Sequence, residues 1–275
     1  MKTPDSKLYS KEYFLSTEGI DYFKKGLISP KFEHAVNMAK LRSGMKILDI
    51  GSGRGDIVLA SARKNVYSYG IDYARDAIEI AKVAKQSLPI HLASFFLVHQ
   101  ASADTLPFKE NTFDKIFFMD VAEHLPPSDL LQCFKECKRT LKEDGELIIH
   151  TSPNRWYNDF GYPFWEQPIN KILNRVFKQN LLTREIRNEM DLKVHVNEQT
   201  IISLKDYLRK AGFQPKIWLG DEYIKPLKKI SLKGKFLELA RQVVCHFFPF
   251  SLIFPLNLFF SNNIWAIAKN QMQKR

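Results

Sequence analysis

From Lys46 onward, short β-type runs alternate with amphipathic segments of helical length, and that alternation admits few architectures. It is the pattern of a parallel sheet wrapped by helices. Strands are predicted at 46–50, 68–72, 95–100, 115–120, 146–151, 216–219 and 264–269, and helices over 56–64, 74–87, 127–141 and 198–211. In the second of these helices Ile78, Ala81, Val83 and Ala84 form the inner side and Pro89 stops it. With 275 residues and 45% hydrophobic content, the chain can bury one sizeable core and still carry insertions.

Three segments interrupt the alternation, and specificity is expected there. Residues 1–44 form a lead-in whose part 9–41 reads as helices bearing Tyr13, Phe14, Tyr22 and Phe23. Residues 154–197 carry Trp156, Tyr157, Tyr162, Phe164 and Trp165 ahead of a basic helical stretch. The apolar insertion 222–263 separates the last two strands. Core segments 45–153, 198–221 and 264–270 complete what reads as a single domain, 1–275.

The run Ile47-Leu48-Asp49-Ile50-Gly51-Ser52-Gly53-Arg54-Gly55-Asp56 is a buried strand feeding a glycine turn and then a helix. Glycines there let backbone pass close to a ligand, although a tight structural turn has the same look. A dinucleotide fingerprint needs glycine at position 56; Asp56 stands there, at a helix N-terminus that would otherwise receive a pyrophosphate. The acidic loop suits S-adenosylmethionine better, since that cofactor carries a sulfonium and an ammonium and no phosphate. The second strand ends in Gly70-Ile71-Asp72-Tyr73, which places the Asp72 carboxylate where this architecture binds ribose hydroxyls. Asp72 as a cap of the following helix is the alternative.

Taken together, the chain resembles the class I S-adenosylmethionine-dependent methyltransferases of the type 11 group. The carrying residues are Leu48 through Gly55, Gly70-Ile71-Asp72, Leu106-Pro107-Phe108 with Asn111-Thr112-Phe113-Asp114, Glu123-His124-Leu125, and Leu141 through Leu147. The match spans roughly 45–154 and is specific as an ordered set. It implies a Rossmann-like seven-stranded methyltransferase sheet with helices on both faces, a helical and aromatic cap, and S-adenosyl-L-methionine held by Asp49, Gly51, Gly53, Gly55, Asp72, Tyr73, Ser102, Ala103 and Asp120. One departure concerns the adenine contact, where the family commonly has Asp-Ala and this chain has Ser102-Ala103. A serine hydroxyl accepts that hydrogen bond more weakly than a carboxylate, while the Ala103 N–H can still serve a ring nitrogen.

Methyl transfer from a sulfonium is an in-line displacement, so alignment of the acceptor dominates and a base helps only if the acceptor keeps its proton. His124 and His195 are the candidates for that base; each also reads as a satisfied structural histidine, and His150 and His246 as packing or interface residues. The aromatic cluster after the fifth strand either lines an acceptor pocket or forms the core of the cap. No metal site is expected. Cys133, Cys137 and Cys245 lie in no metal-like spacing with histidine and read as reduced packing residues of a cytosolic protein.

The net charge of +11 calls for an anionic partner. Residues 243–260 hold no charged side chain except the titratable His246, and Lys225, Lys228, Lys229, Lys233, Lys235 and Arg241 lie upstream. Pro249 and Pro255 break the run, so a peripheral membrane contact through 222–263 is expected rather than a span, with a hydrophobic lid or a homodimer contact as the alternative. The first ten residues show no apolar run, and the expected location is cytoplasmic, peripheral at the inner membrane face. The acceptor is then a small molecule or lipid-linked. An RNA acceptor is the second reading, disfavoured because the basic residues accompany apolar ones, and a non-catalytic cofactor-binding protein is the third.

Overall fold

In the computed structural model the described residues are 3–17, 19–177, 189–220, 243 and 253–270. Strands β1 (Lys46–Ile50), β2 (Tyr67–Asp72), β3 (Phe96–Gln100), β4 (Phe113–Met119), β5 (Leu141–Thr151), β6 (Phe213–Gly220) and β7 (Asn263–Asn270) form one sheet in the order β3-β2-β1-β4-β5-β7-β6. Strands β1 to β5 run parallel, and β7 lies antiparallel between β5 and β6. The order reverses between β1 and β4, so a crevice opens beyond their carboxyl ends.

Helices cover both faces: α1 (Lys11–Ser16), α2 (Ile20–Phe23), α3 (Pro30–Met38), α4 (Asp56–Ala62), α5 (Arg75–Lys85), α6 (Pro127–Thr140), α7 (Gln167–Phe177), α8 (Glu189–Val194) and α9 (Ile201–Lys210). Strand alternation sorts the core into two layers. Leu48, Ile50, Ile116 and Phe118 face the layer that holds Leu130 and Phe134 of α6 and Leu204 and Leu208 of α9. Ile47, Phe117, Met119 and Ile148 face the other, against Ala35 and Val36 of α3 and Ile57 of α4. Cys133 and Cys137 are buried in α6, while Cys245 lies outside the described residues.

The largest departure from the expected elements is β5, which begins at Leu141 rather than at 146. Lys142-Glu143-Asp144-Gly145 precede the expected strand, but Leu141 pairs with Phe113, and the ladder absorbs the extra residues in an irregularity between Phe113 and Lys115. Helix α9 starts at Ile201 rather than 198, because Thr200 and Ser203 form a capping box. Beyond β5 the aromatic segment winds as a π-helix, Tyr157–Glu166, that runs into α7. The basic cluster 225–241 and the phenylalanines at 247, 248 and 250 lie outside the described residues. Among the described residues, no helix is long and apolar enough to cross a membrane.

Candidate active site

The glycine turn after β1 forms one wall of the crevice. Gly51 and Gly53 have φ of 68° and 49°, the left-handed region that side chains resist. A Cβ on Gly51 would stand 2.5 Å from Val121 Cγ2, so the absence of a side chain there keeps the crevice open. Gly53 donates its N–H to Asp72 Oδ2 at 2.9 Å. Gly55 has a different task, since a Cβ there would meet Ala81 and Phe96 and its place is the start of α4 against the sheet. Asp49 is buried beneath the turn and does not line the crevice; burial, with Asp56 and Asp72 nearby, holds its carboxyl well above the usual range.

Asp56 requires a correction. It was expected to present its charge to the ligand, yet its Oδ2 lies 3.1 Å from Arg54 Nε, both side chains are buried, and neither lines the crevice. Arg54 instead reaches upstream, where Nη1 donates to Phe14 O at 2.8 Å and to Thr17 Oγ1 at 2.7 Å. That guanidinium clips the N-terminal helices onto the glycine turn, and places Tyr9, Tyr13 and Phe14 in the crevice wall.

At the end of β2, Asp72 faces the cavity and does not cap α5, whose N-cap residue is Ala74. Its Oδ1 accepts the Ala74 N–H at 2.9 Å in the turn that leads into α5, and each carboxylate oxygen keeps a lone pair for a hydroxyl donor. Burial raises its pKa to about 6, against the lowering pull of these backbone N–H groups. Tyr73, Ser102 and Ala103 complete this half of the lining, with Ile50, Ile71 and Ala101 as its apolar part.

The other half is built on Asp120, at the end of β4. Asp120 has φ 55° and is held by two partners: Lys31 Nζ of α3 at 2.5 Å and His150 Nδ1 of β5 at 2.5 Å. Burial alone would raise its carboxyl, but the Lys31 ammonium and the His150 imidazole outweigh it and hold the group well below the usual carboxylate range. His150 Nε2 continues the chain to Asn263 Oδ1 at 3.1 Å. The histidine expected to be a packing residue is therefore part of the site's polar framework.

His124 lines the crevice and His195 stands behind it, their rings 4.9 Å apart. Burial, then the neighbouring His195, lowers the His124 pKa to about 3, so the ordinary value that made it attractive as a base does not apply. His124 Nδ1 lies 3.0 Å from Tyr9 Oη and 3.1 Å from the Val194 carbonyl. Burial opposes protonation of His195, but Glu198, at 3.8 Å from its Nδ1, and Glu123 outweigh this and raise its pKa. Burial and the nearby Asp120 raise the Glu123 pKa to about 7, although it accepts from Thr151 Oγ1 at 2.8 Å. Glu123, His124 and His195 bring one donor atom each within 4.8 Å of one another, a set of ligand types able to hold a divalent cation. The aromatic cluster of the cap does not line the crevice: Trp156 stacks on Phe259 and Trp165 on Phe260, edge-on, so the cap-core reading holds for these.

Tyr9, Lys31 and His150 were not identified as site residues from the sequence. Tyr9 and Lys31 precede the first strand and are brought to the crevice by tertiary packing, which no local spacing announces. His150 sits on β5 beside Met119, one register step from Asp120, and that adjacency was the available signal.

The crevice fits S-adenosylmethionine on its own terms. Asp72 offers carboxylate oxygens for a ribose, Gly51 leaves the space a side chain would fill, and Ile71 with Ala103 offers an apolar slot beside Ser102. The sequence profile of the methyltransferase domain family matches residues 48–149. The ubiquinone biosynthesis O-methyltransferase of Glaesserella parasuis is 36% identical over 115 residues, 39% of this chain and 45% of that protein. The ubiquinone/menaquinone biosynthesis C-methyltransferase UbiE of Geotalea uraniireducens is 25% identical over 150 residues, 53% and 62% respectively. Phosphoethanolamine N-methyltransferase 2 of Haemonchus contortus, solved with S-adenosyl-L-methionine, superposes with TM-score 0.53 at 16% identity over 97% of this chain and 58% of that one. The chain spans about half the length of the first curated relatives it matches. The fold is the one seen in solved class I methyltransferases, and the crevice has a lining that fits S-adenosylmethionine. Within 48–149 the chain is similar to the methyltransferase domain family.

Proposed function

We propose that the protein transfers a methyl group from S-adenosylmethionine to a small-molecule or lipid-linked acceptor, working peripherally at the cytoplasmic face of a membrane. The observation that carries the transfer is one continuous crevice that joins Asp72 and Gly51 to Tyr9, Asp120 and His124. When bound, the cofactor supplies an electrophilic methyl group on its sulfonium. Asp72 orients the ribose end. Asp120, ionised and held by its two partners, sets a fixed, charge-balanced carboxylate in the acceptor half.

The Val194 carbonyl can only accept, so the proton on His124 is assigned to Nδ1, shared between that carbonyl and Tyr9 Oη. The Tyr9 hydroxyl, which donates to Tyr73, turns its hydrogen to a bound acceptor. A neutral imidazole with pKa about 3 is a poor proton sink, so His124 acts by orienting Tyr9. Rate comes from alignment and exclusion of water, and the acceptor is one that arrives with its lone pair available. The O-methyltransferase and C-methyltransferase names of the matched relatives, with the phosphoethanolamine N-methyltransferase, support a small-molecule acceptor and leave the methylated atom open. The uncharged run 243–260 behind a lysine-rich stretch supports the membrane location.

Mass spectrometry of lipid and small-molecule extracts incubated with the protein and isotopically labelled cofactor tests the proposal. A labelled product in either fraction is expected. Label found only in RNA, or in no fraction, refutes it.

A further inference from the structure

The segment from the π-helix through α7 is folded inside out. Its buried side carries Tyr157, Asn158, Gly161, Glu166 and Asn170, with the Tyr157 hydroxyl donating to Glu166 Oε2. Its outer side carries Phe160, Phe164, Ile172 and Val176, four residues apart in two pairs, and Phe164 is 76% exposed. The short helix Asn257–Phe260 is fixed against it: a Cβ on Gly161 would overlap the Phe259 carbonyl, and Asn154 Nδ2 donates to Leu258 O at 2.8 Å and Ser261 O at 2.9 Å. The turn before that helix exposes Ile253 and, at 74%, Phe254. Water-facing phenylalanines on a backbone this tightly held are a surface awaiting an apolar medium.

We infer that the outer face of 157–177 with the turn at 253–256 seats in the headgroup and upper acyl region of an anionic lipid bilayer. Charge selects this occupant. Lys171 and Arg175 are exposed among the apolar side chains, whereas the acidic residues of the segment are Glu166, which is buried, and Asp159, whose Oδ2 pairs with Arg155 at 3.2 Å. A second copy related by a two-fold axis would set these cations against themselves, while anionic headgroups complement them. The long stems of Lys171 and Arg175 can lie along the apolar surface with their charges at headgroup level. The inference rests on the membrane location of the proposed function and deepens it by naming the contact face, without the basic stretch at 225–241 or a lipid-linked acceptor.

The test is flotation of the full chain with phosphatidylcholine vesicles, with and without one quarter phosphatidylglycerol, for wild type, the Phe164→Ser/Phe254→Ser double variant and the Lys171→Gln/Arg175→Gln double variant. Wild type floats with the anionic vesicles. The phenylalanine variant partitions at least about tenfold more weakly at any salt, and the charge variant loses binding mainly at low salt. Circular dichroism and thermal melts verify folding, and the single Phe164→Ser and Phe254→Ser variants, each at an exposed position, repeat the test should the double variant unfold. Wild type that stays with the unbound fraction overturns the inference, as does equal flotation of the phenylalanine variants or a wild-type dimer that these variants dissociate. Product from a water-soluble acceptor without flotation leaves the methyl-transfer reading standing; flotation without any labelled product does the reverse.

Discussion

Protonation of Asp72 should uncouple cofactor binding from folding. Hydroxyl donors on a ribose favour the ionised carboxylate, so affinity falls as pH drops through the group's pKa of about 6. With that pKa, roughly ten elevenths of the molecules are ionised at pH 7 and one eleventh at pH 5, a loss of about tenfold in affinity. Stability moves the other way. The folded pKa stands above the unfolded value, so the contribution of Asp72 to stability is complete below the unfolded pKa and is lost as pH rises through about 6. Asp72→Asn keeps the side chain's size and an oxygen for one of the two backbone donors, Gly53 or Ala74, and forfeits the charge. Losing charge-assisted hydrogen bonds of about 1.5 kcal/mol or more each weakens binding at pH 7 at least tenfold. The assay is isothermal titration with S-adenosylmethionine from pH 5 to pH 7.5, for wild type and variant, with thermal melts of the free proteins alongside. Wild type should show the tenfold slope and the variant a nearly flat profile. A flat wild-type profile, or an unchanged affinity in Asp72→Asn, would remove Asp72 from the ribose site.

Gly51→Ala places a Cβ against Val121 Cγ2 in a left-handed backbone, and should lower the melting temperature and abolish measurable cofactor binding; adding Val121→Ala should recover part of both, and no recovery would refute the close-approach argument. Tyr9→Phe retains the ring packing against Tyr13, Tyr73 and His124 but removes the hydroxyl. Its cofactor affinity should stay within about twofold while kcat drops roughly tenfold or more; an unchanged kcat would show that Tyr9 only packs.

The parts legible in the sequence are those where backbone chemistry imposes residue type locally. Gly51 and Gly53 could be read because positive φ and close approach exclude side chains, and Asp72 because its place follows from one strand's end. The acceptor half was legible only at Asp120 and His124, which the resemblance and the position after the fourth strand pointed to. Tyr9, Lys31 and His150 come to them from separate parts of the chain, each a residue type with many ordinary uses. Asp56 misled because its charge was read without its neighbour, and Arg54, buried beside it, cancels that charge from within the same turn. In the cap, composition left the aromatic side chains open between a pocket and a core, because their direction depends on a π-helix that no periodicity in the sequence announces.

Arg54 also separates two meanings of the word domain. By similarity the unit is 48–149, but a chain cut to those limits would lose the Phe14 carbonyl, the Thr17 hydroxyl and the Phe23 ring that hold and cover the Arg54 guanidinium. It would also strip β7 from β5 and leave a bare hydrophobic edge where an antiparallel partner now closes the ladder. The inherited stretch is thus a recipe for holding one molecule, while the cooperative unit that melts as a whole must include residues far upstream and downstream of it. Sequence change in the N-terminal helices therefore reaches the glycine turn directly, through the partners of Arg54 and through the Phe14 ring that lies against Gly53.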